Sequence, residues 1–143
     1  MHIPKYLEVV VSLVILQALP SIANAQMNTG VERQKVHMVS RMYQATYGAQ
    51  ERCRPSREAS VKLDMAIEQF RNALPELMSL VDSSPYLPQA KEQFKVFLSK
   101  APAPQNDQAL VEECAGIADM LHQLADTPGG QKAADDMIQT LKK

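Results

Sequence analysis

Apolar residues recur along most of the chain at steps of three and four, and no stretch alternates apolar with polar residues as a half-buried strand would. Val36, Val39, Tyr43 and Tyr47 form the first stripe and predict a helix over about residues 31–52, with Gly48 inside it or ending it early. Arg54-Pro55-Ser56 interrupts the pattern, and Ser56 is a residue type that caps helix starts. Leu63, Ile67, Phe70, Leu74, Leu77 and Val81 then make an unbroken heptad-like seam. Pro75 falls within it, which calls for a kink or for two abutting helices.

Ser83-Ser84-Pro85 and Pro88 set the next boundary, after which Leu87, Ala90, Phe94 and Phe97 carry the period to about residue 100. Ala101-Pro102-Ala103-Pro104 reads as a short extended connector. Asn106 or Asp107 caps the following helix, whose seam is Leu110, Cys114, Ile117, Leu121 and Leu124. Thr127-Pro128 supplies a cap and a first-turn proline for a last helix carrying Ala134, Met137, Ile138 and Leu141. The expected fold is therefore all-α, an up-down bundle of four to five helices.

Residues 1–25 stand apart from this pattern. Lys5 precedes an apolar stretch from Val9 to Leu19, Pro20-Ser21 breaks it, and Ala23-Asn24-Ala25 is a small-x-small site before Gln26. That layout is a cleaved secretory signal peptide, with residues 26–143 as a single helical domain in the periplasm or outside the cell. Glu8, Gln17 and Pro20 bracket an apolar run shorter than the roughly 20 residues a spanning helix needs, so no stable membrane anchor is expected after cleavage.

Export changes the reading of the two cysteines. Cys53 and Cys114 both follow the signal, and an even count in an oxidising compartment implies one disulfide. Up-down tracing places the end of the first helix and the start of the fourth at the same end of the bundle, where the pair can join. Their spacing contains no Cys-x-x-Cys and hence no thioredoxin-type, c-type haem or zinc-ribbon motif.

The 143 residues are 45% hydrophobic and 22% charged with net charge −1, a balance of one globular domain without the basic excess of a nucleic-acid binder. The charge is uneven: residues 32–62 hold seven basic and three acidic side chains, and residues 63–143 hold seven and twelve. Arg52, Arg54 and Arg57 surround Cys53 and form a candidate patch for an anionic partner. Their other use is charge compensation within the bundle and at a helix C-terminus.

Catalytic signals are absent. There is no Gly-x-Ser-x-Gly turn, no His-Glu-x-x-His helix, and beyond His2 the histidines are His37 and His122 alone. No resident cofactor is assigned. Met38 and Met42 beside His37, and Met120 beside His122, offer soft ligands suited to copper or haem iron, though filling irregular core gaps is the plainer role of methionine. The sequence thus points first to a non-enzymatic interaction module for another envelope protein. The alternative is a ligand-carrying bundle holding a metal, non-covalent haem or an apolar small molecule.

Overall fold

The computed structural model describes residues 30–143, which form an all-α bundle of six helices; the expected signal segment lies outside the described residues. Helix α1 is continuous over residues 30–53 and is built from an α-helical part Gly30–Tyr43, a π-helical turn Gln44–Gly48 and a closing turn Ala49–Cys53. Thr46 Oγ1 donates to the Met42 carbonyl at 2.7 Å, a back-bond that competes with regular helical pairing and accompanies the widened turn. Gly48 therefore sits inside the helix, within its wide turn.

Ser56, in extended geometry, caps α2 (Arg57–Ala73) by accepting the Ala59 N–H at 3.3 Å. At Leu74 the backbone leaves the helical region (φ −127°, ψ 58°), and α3 (Pro75–Asp82) begins with the proline at its first position. Pro75 thus divides the long seam into two helices. The apolar stripe crosses the break intact, since Leu63, Ile67 and Phe70 on one side and Leu77 and Val81 on the other are all buried. Helix α4 (Leu87–Lys100) ends where Ala101 turns extended ahead of Pro102. Asn106 Oδ1 accepts from Ala109 N at 2.8 Å to start α5 (Asp107–Asp126), and Thr127 Oγ1 accepts from Gly130 N at 3.0 Å to start α6 (Pro128–Lys142).

Helix α2 lies along α5, α1 along α4, and α6 against α5 and α3. These pairings make two apolar clusters. The larger joins the second half of α1 to α2, α3, α5 and α6 around Leu63, Phe70, Leu77 and Leu121. The smaller is mostly aromatic, joining Val39 and Tyr43 of α1 to Ala90, Phe94 and Phe97 of α4. Tyr43 and Phe94 meet edge to face with centroids 5.9 Å apart, the geometry favoured by the ring quadrupoles. Gly48 is what lets α4 come this close: a Cβ there would stand 2.8 Å from Phe94 Cζ. Cys53 and Cys114 are joined, with Cα atoms 6.2 Å apart, tying the end of α1 to the second turn of α5. No helix among the described residues is long and apolar enough to cross a membrane.

Candidate functional site

The two clusters do not close completely onto each other. Between them lies a partly open cavity of about 510 Å³, within the range of about 300–1,000 Å³ usual for small-molecule sites. Helix α1 supplies one wall with Met38, Met42, Ala45 and Ala49. Phe94 and Phe97 of α4 face it from the aromatic cluster, and Ile117, Met120, Leu121 and Leu124 of α5 from the larger one. Ala133 and Met137 of α6 complete the enclosure.

Two residues of the π-helical turn, Gln44 and Ala45, line this wall, and Gln44 is 8% exposed. Its Nε2 is fully buried and has no hydrogen-bond partner among the described residues. A buried amide donor left unmet costs about 1–3 kcal/mol, so its presence calls for an acceptor.

Charge is confined to two positions. Among the described residues of the wall, Arg41 and Arg52 are the charged side chains, and none is a carboxylate. Arg52 is committed: its Nε donates to Glu113 Oε2 at 2.9 Å and its Nη2 to the Pro102 carbonyl at 3.1 Å. Arg41 is exposed and makes no ion pair among the described residues.

The arginines around Cys53 therefore separate. Arg52 turns inward to Glu113, compensating charge inside the bundle, while Arg54 and Arg57 stay exposed at the α1–α2 corner. The two methionine groups, by contrast, converge, since Met38, Met42 and Met120 all line the cavity. The neighbouring histidines do not join them. His37 lies outside the wall, and burial, followed by the nearby Arg41 charge, holds its pKa below the ordinary value. His122 faces Asp126 one turn along α5, at 3.7 Å. No group of three or more His, Cys, Asp or Glu side chains suited to a metal occurs among the described residues.

Sequence reasoning missed Gln44, Met137 and the Phe94–Phe97 wall as site residues. Gln44 follows Tyr43 of the first stripe, and its sequence position carries no signal that sets it apart from the other polar residues of the helix.

A second polar cluster ties α1 to the last turn of α2 and the end of α3. The Tyr47 hydroxyl donates to Asp82 Oδ1 at 2.5 Å and accepts from Arg71 Nη2 at 2.7 Å, while Arg71 Nη1 donates to Asp82 Oδ2 at 2.9 Å. Burial and the Asp82 hydrogen bond raise the Tyr47 pKa, outweighing the Arg71 contact that lowers it. The three side chains satisfy one another pairwise, which marks the cluster as a clasp. Comparison with family models, curated proteins and solved structures finds no match to the chain.

Proposed function

We propose that this protein is an exported, non-enzymatic carrier that holds one small apolar molecule between its helices. The observation that carries this reading is the 510 Å³ cavity, walled by thioether, aromatic and aliphatic groups and containing the unpartnered Gln44 amide. Core packing normally eliminates such space, because unfilled apolar volume forfeits dispersion contacts and lowers stability. Methionine-rich walls adapt to ligands of varied shape. Among the described residues the wall holds no histidine, carboxylate or cysteine with which to move a proton or form a covalent intermediate, and this supports a binding role over a catalytic one. The small-x-small site before Gln26 and the Cys53–Cys114 bond support export to an oxidising compartment.

Native mass spectrometry and solvent extraction of protein purified from its own compartment test the reading. The expected result is a chain beginning at Gln26 that carries one apolar molecule. Protein that is ligand-free on isolation and fails to take up a hydrophobic fluorophore overturns the carrier reading.

A second reading, docking onto another envelope protein, has its own observation. Val61 and Met65 lie one turn apart on α2 and are 51% and 57% exposed, with Arg57 one turn before them. If this stripe is an interface, Val61→Asp with Met65→Asp abolishes recovery of the partner without changing the cavity's ligand.

A further inference from the structure

We infer that the cavity takes an amphiphile with an anionic head, the head at Arg41 and Gln44 and the apolar part running toward the disulfide. This assignment rests on the carrier reading above and adds the chemical class of the ligand. Three features carry it: an apolar lining, charge and an unmet hydrogen bond.

The cavity is lined mainly by apolar side chains, with Met38, Met42, Phe94, Phe97, Ile117 and Leu121 among them. Such a lining suits a hydrocarbon tail.

Charge distinguishes the two ends. At the disulfide end Arg52 is neutralised by Glu113, and Ala49 and Ile117 present only hydrocarbon. Toward the other end stands Arg41, without an ion pair among the described residues. One turn inward lies the Gln44 Nε2, also without a partner. A guanidinium and an unmet amide N–H, with no carboxylate among the described residues of the wall, make a site whose open hydrogen-bonding capacity is a donor's. It matches a carboxylate head, matches an alcohol less well, and repels a cation.

Binding of dodecanoate, dodecanol and dodecyltrimethylammonium, each below its micellar concentration, tests the assignment by displacement of a fluorescent apolar probe. Wild-type protein is expected to bind dodecanoate about tenfold more tightly than dodecanol, the usual scale of one charge-assisted hydrogen bond, and the cation most weakly. Arg41→Gln is expected to erase the dodecanoate advantage while leaving dodecanol affinity and the thermal midpoint in place, because Arg41 is exposed. Equal affinity for dodecanoate and dodecanol in the wild type, or an advantage that survives Arg41→Gln, overturns the head-group assignment. Ala133→Trp, a substitution at an exposed position of the wall, separates that failure from failure of the carrier reading. If it blocks dodecanol, the cavity is the binding site whatever the head. If no probe binds the wild type, both readings fall.

Discussion

Arg52 and Glu113, each immediately preceding one half of the Cys53–Cys114 disulfide, form an ion pair with their side chains 12% and 9% exposed. The covalent link and the salt bridge lie side by side, so α1 and α5 are joined twice at one level. Breaking the pair from one side strands a charge away from water, whereas replacing both partners does not. Arg52→Met is therefore expected to cost about 3 kcal/mol in urea unfolding, and the Arg52→Met, Glu113→Met double variant to recover much of that loss.

Reduction of the disulfide releases a loop whose ends are 61 residues apart. The chain-entropy model places the loss at about 4 kcal/mol. Cys53→Ala with Cys114→Ala is expected to lower the urea midpoint accordingly. Circular dichroism should retain most of the helical signal in water, because both positions lie within apolar seams that persist.

Gly48 gives a prediction that links packing to the cavity. An alanine Cβ would lie within 2.8–2.9 Å of three atoms of the Phe94 ring, and the ring is itself part of the wall. Gly48→Ala is expected to cost about 1–3 kcal/mol and to weaken uptake of an apolar probe, as the ring must move. Phe94→Leu in the same chain should relieve the stability defect.

The Tyr47 clasp and His37 set opposite ends of the pH profile. The Tyr47 pKa is raised above 10.0, so its contribution to stability is complete below pH 10 and is lost as pH rises through the folded value. Tyr47→Phe should flatten that alkaline decline and cost about 1 kcal/mol at neutral pH, a modest figure because Arg71 and Asp82 are more than a third exposed. The His37 pKa is lowered from 6.5, so its contribution is present above pH 6.5 and is lost as pH falls through the folded value. His37→Gln should remove that part of the acid-side loss seen in thermal unfolding across pH 4–8.

The helices were legible because their signals are local. Three- and four-residue steps gave the stripes, Ser56, Asn106 and Thr127 are the observed caps, and Arg54-Pro55 marks a boundary. The cysteine pairing was legible too, since connectivity put both at one end. At Pro75 the sequence admitted both a kink and a split, and Leu74 decides for the split by leaving helical geometry. The π-helical turn carries no period of its own, so its effect on Gln44 and Ala45 was hidden. The cavity was hidden for a more general reason, because it is a space between α1, α4, α5 and α6, and periodicity describes each helix singly. Methionine at positions 38, 42 and 120 was visible, yet only the packing shows these residues around one volume.

Where the cystine sits decides how the bundle can breathe. It fastens α1 to α5 beside one end of the cavity, next to Ala49 and Ile117. At the opposite end α6 is pressed onto the last turn of α5 so tightly that a Cβ on Gly130 would stand 2.1 Å from the Gln123 carbonyl. The cystine rivet holds the α1–α5 side of the gap together at its own end, so any widening falls to the helices it does not join.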